Sequence, residues 1–289
     1  MLSYRHAFHA GNHADVLKHF VLYAVLDYFN RKDKPYWYID THSGAALYDL
    51  GSREAQKVGE YRKGIGLLRR AFSGSGTPAE SADGLPSLAA FVHHLDSITP
   101  PDAQPPLYPG SPKLADSLLR RGDKLRLFEL HPADFSLLQQ QLHGRHIIAR
   151  CADGYDGLIA LLPPPTRRAV VLIDPPYEQK QDYDRAVHTL KEALKRFANG
   201  CYLLWYPCLQ RPESIRLPEK LAKAAPNRLR AELHISRPAA DGYGMSGSGL
   251  FVVNPPYILR DTLAAALPEL VRILAQDDGA RFVLDGNAA

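Results

Sequence analysis

The sequence predicts an α/β fold built on a mostly parallel sheet. Short apolar runs recur along the chain with helical stretches between them. This alternation is typical of right-handed strand-helix-strand crossovers, which place consecutive strands parallel in one sheet. Two apolar runs near the end of the chain are separated only by a loop rich in glycine and serine, so this last pair should be antiparallel.

The first predicted element is a helix over residues 14–28, in which apolar side chains recur at helical spacing and Asn12 is placed to cap the first turn. Pro35 then interrupts the chain, and an aromatic and β-branched run gives the first strand. Seven core strands are predicted, at residues 36–39, 125–128, 146–149, 169–173, 202–205, 228–235 and 249–253.

A long interval after the first strand breaks the rhythm of strands and helices. It holds helical stretches around residues 61–72 and 88–95, and the remainder is rich in proline, glycine and serine. We therefore predict one domain over residues 1–289, with residues 45–108 forming an inserted helical subdomain between the first and second core strands.

Composition places the chain among ordinary globular proteins. Of 289 residues, 45% are hydrophobic and 23% are charged, which excludes a disordered or fibrous protein. The formal net charge of +4 is compatible with a polyanionic partner. Neither a signal peptide nor an apolar stretch of about 20 residues occurs, so we expect a cytoplasmic protein without a membrane span.

The cysteines argue against two classes of site. Cys151, Cys201 and Cys208 are an odd number and contain no CxxC pair. The sequence therefore predicts neither a disulfide framework nor a cysteine-based zinc site, and it indicates a reducing compartment.

The strongest chemical signal is the end of the fourth strand, where an apolar run stops at Asp174-Pro175-Pro176-Tyr177. Prolines cannot continue a central strand, and they fix the backbone at the carboxyl edge of the sheet, where open α/β sheets bind ligands. The alternative is that the tetrapeptide is only a rigid turn.

This motif suits the methylation of an exocyclic amine such as N6 of adenine. The nitrogen lone pair is delocalised into the ring, so an enzyme must hold the amine with acceptors that favour a tetrahedral nitrogen. Asp174 and the carbonyl of Pro175 can accept its two N–H groups, and Tyr177 can stack on the base. The base must be splayed out of any helix to be reached.

A second copy, Asn254-Pro255-Pro256-Tyr257, also follows an apolar run, and asparagine presents a similar acceptor. It ends the last antiparallel pair, however, and not the strand beside the topological switch point. We interpret this second copy as structural.

Acidic residues also follow the other early strands. Asp40 opens a degenerate glycine loop that ends at Gly44, and Glu129 follows the second strand, where it can accept ribose hydroxyls. Asp153, in Ala152-Asp153-Gly154, can accept from an adenine amino group. Each of these acids alone could instead cap a helix.

Histidines are numerous near the amino terminus, but the sequence predicts no metal site there. His6, His9 and His13 lack an HExxH pattern or a Cys/His finger. The same segment contains Arg5 and Lys18, so contact with nucleic acid is the preferred interpretation, with these two cations neutralising phosphates.

Taken together, these residues closely resemble the bacterial ribosomal RNA large subunit methyltransferase J family, whose members methylate an adenine N6 of 23S ribosomal RNA. The resemblance covers nearly the whole chain. It is carried by residues 1–6 and 9–19 and by Asp40-Thr41-His42, Tyr108-Pro109-Gly110-Ser111-Pro112, Glu129-Leu130-His131-Pro132, Ala152-Asp153-Gly154 and Ile173-Asp174-Pro175-Pro176-Tyr177.

The resemblance implies a Rossmann-like class I methyltransferase fold with a seven-stranded, mostly parallel sheet, S-adenosylmethionine as cofactor and 23S rRNA as partner. It implies a catalytic role for Asp174, and Tyr4, His6 and Lys18 on the side of the target adenine. We expect a monomer with no obligate protein partner. The cofactor contacts it implies are His19, His42, Ser111, Glu129, Asp153, Gly154 and Asp174.

Three alternatives remain open from the residues themselves. The same proline-fixed acceptor serves methylation of adenine in DNA and of a glutamine amide in protein. A third possibility, from a different class, is an RNA-binding module that has kept the fold and lost methyl transfer.

Overall fold

The structure is a computed structural model, and it describes residues 5–73, 84–99, 102, 104, 106–240, 242 and 244–286. In chain order the strands are β1 (Trp37–Asp40), β2 (Leu47–Asp49), β3 (Leu107–Pro109), β4 (Lys124–Phe128), β5 (Ile147–Arg150), β6 (Ala169–Ile173), β7 (Cys201–Cys208), β8 (Arg228–His234), β9 (Gly247–Val253) and β10 (Arg281–Gly286). The helices are α1 (His13–Asn30), α2 (Arg53–Val58), α3 (Ile65–Phe72), α4 (Leu88–Ile98), α5 (Ser111–Leu118), α6 (Pro132–Gln141), α7 (Gly154–Leu161), α8 (Lys180–Arg196), α9 (Pro212–Ala224) and α10 (Leu259–Leu274), with 3-10 turns at His6–Phe8 and Glu60–Lys63.

Eight of the strands form one mixed sheet in the order β10-β8-β9-β7-β6-β1-β4-β5. The pairs β5-β4, β4-β1, β1-β6 and β6-β7 are parallel, whereas β7-β9, β9-β8 and β8-β10 are antiparallel. The predicted α/β class and the antiparallel last pair are confirmed.

The predicted number of strands needs a correction, because β10 adds an eighth strand to the seven expected. This strand lies at the edge of the sheet beside β8, and all of its residues are partly or fully exposed. Its sequence therefore lacks the strong apolar pattern by which the other strands were recognised.

Helices cover both faces of the sheet. Along β6, Val170 and Leu172 pack into the core that contains α1, α5 and α10. Ala169, Val171 and Ile173 point the other way, into the core formed with α7, α8 and α9. Side chains that alternate between two buried faces explain why β6 is continuously apolar.

Helix α1 begins where the sequence predicted. The side-chain oxygen of Asn12 accepts from the backbone N–H groups of Ala14 and Asp15 at 2.9 and 3.0 Å. This is the N-cap arrangement, which satisfies amides that have no partner within the helix.

The chain between β1 and β4 carries the predicted helices as α3 and α4. It also contains a short antiparallel ribbon, β2-β3, in which Tyr48 pairs with Tyr108 and so ties the two ends of this interval together. The ribbon was not predicted, because strands of three residues are too short to give a periodic signal.

Within the described ranges, none of the helices has both the length and the apolar character needed to cross a membrane.

Candidate active site

A cavity of about 580 Å³ lies at the carboxyl ends of the central parallel strands. The four strands β5, β4, β1 and β6 are adjacent, so the residues that follow them meet at this edge of the sheet. Tyr4 lies outside the described residues. Every other predicted site residue lines this cavity: His6, Lys18, His19, His42, Ser111, Glu129, Asp153, Gly154, Asp174, Pro175 and Tyr177.

Asp174 follows β6 directly and faces the cavity with a side chain that is 12% exposed. Its Oδ2 accepts a hydrogen bond from Lys18 Nζ at 2.7 Å. A carboxylate has about four acceptor positions, so this bond leaves Asp174 able to accept from a further donor in the cavity.

Lys18 occupies a different environment from the one expected. Its side chain is 6% exposed, and its Nζ lies 2.8 Å from Asp15 Oδ1 as well as close to Asp174. Burial acts to lower the pKa of Lys18, but these two carboxylates outweigh burial and hold the pKa well above its ordinary value. The expectation that Lys18 neutralises a backbone phosphate is therefore wrong, because its charge is already paired inside the protein.

Arg5, the other cation expected to meet phosphates, is more accessible. Its side chain is 37% exposed and lies 3.4 Å from Asp134.

Asp15, which was not among the predicted site residues, organises the amino-terminal side of the cavity. It is 1% exposed, and its Oδ2 accepts from His6 Nε2 at 2.9 Å and from the backbone N–H of Gly11 at 2.8 Å. Burial acts to raise the pKa of Asp15, but His6 and Lys18 more than offset this and keep the pKa well below its usual range. A carboxylate three residues before a lysine on a buried helix face was the available sequence signal.

Glu129 is held rigidly at the opposite side of the cavity. Its Oε2 accepts from the backbone N–H of Gly44 at 2.8 Å, and its Oε1 accepts from that of His131 at 2.7 Å. Burial raises the pKa of Glu129, although the two backbone hydrogen bonds work against this. The remaining acceptor positions can receive hydroxyl groups such as those of a ribose.

Gly44 makes this contact possible. Its backbone has φ +62°, and a Cβ there would lie 2.1 Å from the hydroxyl oxygen of Tyr48. A glycine is therefore required at the turn that presents its N–H to Glu129.

Asp153 caps α7 and also forms an ion pair. Its Oδ1 accepts from the backbone N–H of Tyr155 at 2.9 Å, and its Oδ2 accepts from Arg185 Nη2 at 2.6 Å. The guanidinium of Arg185 lies over the Tyr155 ring at 4.6 Å. Asp153 therefore caps a helix and also lines the cavity, and Arg185 is a cavity residue that the sequence did not reveal.

Gly154 lets α7 approach the loop after β1. A Cβ at this position would lie 1.8 Å from the carbonyl oxygen of Thr41. The neighbouring His42 contacts Tyr155 edge to face, and burial lowers the pKa of His42 to about 4. The His42 imidazole is thus neutral near pH 7.

His19 lines the cavity and is buried. Its Nδ1 lies 2.8 Å from the hydroxyl of Tyr108, and among the described residues its buried Nε2 has no hydrogen-bond partner. Burial lowers the pKa of His19 to about 3. If Tyr108 donates to Nδ1, the neutral ring carries its proton on Nε2, where it can donate to a ligand carboxylate.

Ser111 acts on the cavity through Asp40. Its hydroxyl donates to Asp40 Oδ2 at 2.7 Å, and the hydroxyl of Tyr38 donates to the same oxygen at 2.7 Å. Burial raises the pKa of Asp40 to about 6. These bonds hold the first turn after β1 in place.

Tyr177 forms part of the cavity wall and is not an exposed stacking platform. It is 2% exposed, its ring packs on Tyr183 and Trp205, and its hydroxyl donates to the carbonyl of Trp205 at 2.8 Å. Its φ of +50° lies in the left-handed region, which is unfavourable for a residue with a Cβ. The surrounding bonds hold this conformation at the end of the Asp-Pro-Pro-Tyr motif.

The second copy of the motif lies elsewhere. β9 runs antiparallel to β7, so Asn254 is placed at the opposite edge of the sheet from Asp174. Its Nδ2 donates to the carbonyl oxygens of Ala198 and Gly200 at 2.7 and 2.8 Å. These hydrogen bonds to backbone carbonyls are consistent with a structural role for Asn254.

The cavity suits S-adenosylmethionine in three respects. Nε2 of His19 can donate to a carboxylate when Tyr108 donates to Nδ1, Glu129 offers acceptors to ribose hydroxyls, and Gly154 lets the start of α7 pack against Thr41, beside the cavity-lining Asp153. The volume of about 580 Å³ is within the usual range for small-molecule sites.

Comparison with known proteins identifies the family. The family model described as "Ribosomal RNA large subunit methyltransferase D, RlmJ" matches residues 33–284. Two proteins called ribosomal RNA large subunit methyltransferase J are similar along most of their length. The one from Escherichia coli is 44% identical over 273 residues, or 93% of each chain, and the one from Haemophilus influenzae is 40% identical over 279 residues, or 96% of this chain and 95% of that one. A crystal structure of a Legionella pneumophila protein is 33% identical, with a TM-score of 0.84 over 97% of this chain and 99% of the other. The chain described above therefore belongs to the ribosomal RNA large subunit methyltransferase J family.

Proposed function

We propose that this protein transfers a methyl group from S-adenosylmethionine to the N6 amine of a specific adenine in 23S rRNA. The single observation that carries the proposal is the position of Asp174 and Pro175, which end the strand beside β1 and face the cavity. The protein acts in the cytoplasm as a monomer, as one domain with residues 45–108 as an inserted subdomain.

The acceptor arrangement suits an exocyclic amine. Asp174 is held by Lys18, and the two prolines fix the backbone that presents the carbonyl of Pro175. Together these oxygens can accept both N–H groups and turn the nitrogen lone pair away from the ring. Holding the amine in this orientation lowers the activation barrier for methyl transfer, because the entropy cost of aligning the nitrogen with the methyl group is met on binding.

The cofactor would be held by residues that follow the first three core strands and by His19 of α1. Glu129 would accept from the ribose, Asp153 would accept from the adenine amino group, and His19 would donate to the methionyl carboxylate. His42, Ser111 and Gly154 would shape the remainder of the site. When bound, S-adenosylmethionine supplies a methyl group already activated on a sulfonium sulfur, so the protein has to bind and orient but need not form a covalent intermediate.

The target adenine would enter between the amino-terminal segment and the Asp174 motif. His6 and Lys18 line this side, and Tyr4 precedes them in the chain. Tyr177 supplies an aromatic wall, and the more exposed Trp205 lines the same cavity and adds a second ring surface. A base can reach this depth only when it leaves its helical stack.

The substrate is tested by offering the purified protein labelled S-adenosylmethionine with naked 23S rRNA, duplex DNA or total cell protein. We expect label to enter RNA and to be recovered as N6-methyladenosine after digestion to nucleosides. Label in duplex DNA alone would overturn the RNA substrate, and label in protein would favour the glutamine alternative. If the protein binds RNA but transfers no label, the non-catalytic alternative is correct.

The role of Asp174 is tested by Asp174→Asn. We expect turnover to fall by about 100-fold or more, because the variant loses the charged acceptor while its side-chain shape is retained. Asp184→Asn is the matched control, since Asp184 lies on α8 with a side chain that is 75% exposed. Circular dichroism at the assay temperature checks that both variants are folded. Full activity in Asp174→Asn would show that the catalytic acceptor is assigned wrongly.

A further inference from the structure

A second cluster of reactive side chains lies on the antiparallel half of the sheet. In the register of β7, β9 and β8, Cys208 and His234 both pair with Gly247 of the central strand. Two residues along, Tyr206 and Glu232 both pair with Gly249. Directly paired residues point to the same face of a sheet, so these four side chains share one face.

The two glycines allow the side chains of the outer strands to meet above the central strand. A Cβ at Gly249 would lie 2.4 Å from the Tyr206 ring, and a Cβ at Gly247 would lie 2.9 Å from His234 Nδ1. With any larger residue at these positions, the outer side chains would be held about two strand spacings apart, roughly 9.5 Å. The glycines thus create a shallow trough in which Cys208, Glu232 and His234 converge.

The three convergent residues offer a sulfur, an oxygen and a nitrogen ligand atom, which all lie within 4.8 Å of one another. Glu232 and His234 are buried, whereas Cys208 is partly exposed. A cavity of about 330 Å³, lined by all three residues, lies beside them.

We propose that Cys208, Glu232 and His234 form a site for one Zn²⁺ ion, with a fourth position open to this cavity. Zinc accepts mixed thiolate, carboxylate and imidazole ligands and favours a tetrahedral arrangement. The absence of a CxxC pair argued against a cysteine-based zinc site in the sequence. That argument concerns ligands close together in the sequence, whereas strand pairing brings these three residues together.

Little movement is needed to close the site. Around a tetrahedral zinc ion, ligand atoms lie about 3.5 Å apart, so a separation at the 4.8 Å limit has to shorten by roughly an ångström. The hydroxyl of Tyr206 already donates to Glu232 Oε1 at 2.8 Å and would orient this carboxylate from outside the site. The bond from His234 Nε2 to Glu232 Oε2, 3.1 Å long, would be replaced by two bonds to the metal.

The zinc ion and its three ligands together carry no net charge. Ion binding displaces the thiol proton of Cys208 to solvent, so the bound set consists of one thiolate, one carboxylate, one neutral imidazole and the dication. Arg230 and Arg281 also line the cavity, and Arg230 Nε lies 3.8 Å from Glu232 Oε1. The positive charges of these two arginines favour the thiolate form of Cys208 but repel a free dication. The affinity for zinc must therefore come from the three ligand atoms and not from the electrostatic potential around them.

The site is tested on the full-length protein, stripped with chelator and then titrated with Zn²⁺ or Co²⁺ alone. We expect one tightly bound zinc per chain and, for cobalt, a near-ultraviolet charge-transfer band that reports a cobalt–thiolate bond. Each bound ion should release a proton into weakly buffered solution. Absence of a stoichiometric ion, or of the charge-transfer band, in the wild-type protein overturns the proposal without reference to any variant.

Two cysteine variants distinguish this site from other zinc-binding surfaces. Cys208→Ser should lower zinc affinity by about 100-fold or more and abolish the cobalt charge-transfer band. Cys151→Ser is the matched control, because Cys151 is exposed and lies outside the cluster, and it should bind zinc as the wild type does. Retention of the band in Cys208→Ser places the ion elsewhere and contradicts the proposal. These readouts are independent of methyl transfer, so they succeed or fail separately from the proposed function.

Discussion

Asp15 connects two side chains that face the proposed adenine side of the cavity. His6 and Lys18 both contact its buried carboxylate, and Lys18 continues the chain of contacts to Asp174. A single residue of α1 thus fixes the relative positions of the amino-terminal segment and the proposed catalytic acceptor. It acts through its neighbours and is a positioning residue.

Replacement of Asp15 should separate RNA use from cofactor binding. In Asp15→Asn we expect the free energy of unfolding to fall by about 3 kcal/mol, because the buried Lys18 loses one of its two partners. We expect kcat/KM for RNA to fall about tenfold as His6 and Lys18 lose their orientation. The affinity for S-adenosylmethionine, measured by calorimetry, should change less than about twofold.

Asp27→Asn is the matched control on the same helix. Asp27 is 40% exposed and pairs with Arg31, so its loss should change the free energy of unfolding by less than about 0.5 kcal/mol. If Asp15→Asn loses cofactor affinity and RNA turnover equally, Asp15 supports the whole fold and does not act specifically on the RNA side.

Some site residues could be predicted from the sequence, and others were found only in the structure. Asp174 and Glu129 could be predicted because each follows a recognisable strand, and parallel strands end at one edge. Asp15, Arg185 and Trp205 were not predicted, because their roles depend on which helix or strand lies opposite them. Lys18 was expected at the site, but its burial between two carboxylates emerged only from the packing of α1.

At the scale of elements, the loop after β1 and the start of α7 pack closely against each other at the proposed cofactor site. Thr41 belongs to the loop, and its carbonyl oxygen lies only 1.8 Å from the position that a Cβ of residue 154 would take. Asp153, the residue before Gly154, caps α7. The cap and the close contact together fix where this helix begins and how near it lies to the loop after β1. The close approach requires glycine at residue 154.

Substitution of this glycine tests the approach of the two elements. In Gly154→Ala the added methyl group must push α7 away from Thr41, which we expect to lower the free energy of unfolding by about 1–3 kcal/mol. Affinity for S-adenosylmethionine should fall by about tenfold or more, since Asp153 moves with the helix. Ala160→Ser, at an exposed position of α7, should leave both quantities nearly unchanged. Wild-type cofactor affinity in Gly154→Ala would show that the contact does not shape the site.

Elements with a strong periodic signal were predictable, and elements without one were not. Helix α1 and strands β1, β4, β6 and β7 bury complete faces, which fixes their apolar pattern. The ribbon β2-β3 and the edge strand β10 are held by pairing with segments distant in the sequence. Their own residues therefore show no hydrophobic pattern from which a strand could be predicted.

The whole molecule buries several histidines in neutral form. Burial lowers the pKa of His13 and of His42 to about 4 each, and that of His19 to about 3. In the unfolded chain these imidazoles bind protons near pH 6.5, whereas in the folded protein they do not. At these three positions the unfolded state therefore binds more protons below pH 6.5, so their contribution to stability falls as the pH falls. Asp40 works in the opposite direction between pH 6 and pH 4, because its raised pKa lets the folded state keep a proton.

The contribution of one histidine can be isolated by comparing two proteins. One buried imidazole lowers the free energy of unfolding by about 1.4 kcal/mol for each pH unit below 6.5, or about 2 kcal/mol by pH 5. His19→Asn keeps an acceptor near Tyr108 but cannot titrate, so urea unfolding at pH 7.5, 6.5, 5.75 and 5 should show a shallower loss than the wild type by this amount. His93→Asn replaces an exposed histidine and serves as the control, for which we expect the wild-type pH dependence. Parallel stability curves for the wild type and His19→Asn would mean that His19 takes up a proton as readily in the folded protein as in the unfolded chain, and the low pKa assigned to the buried His19 would then be wrong.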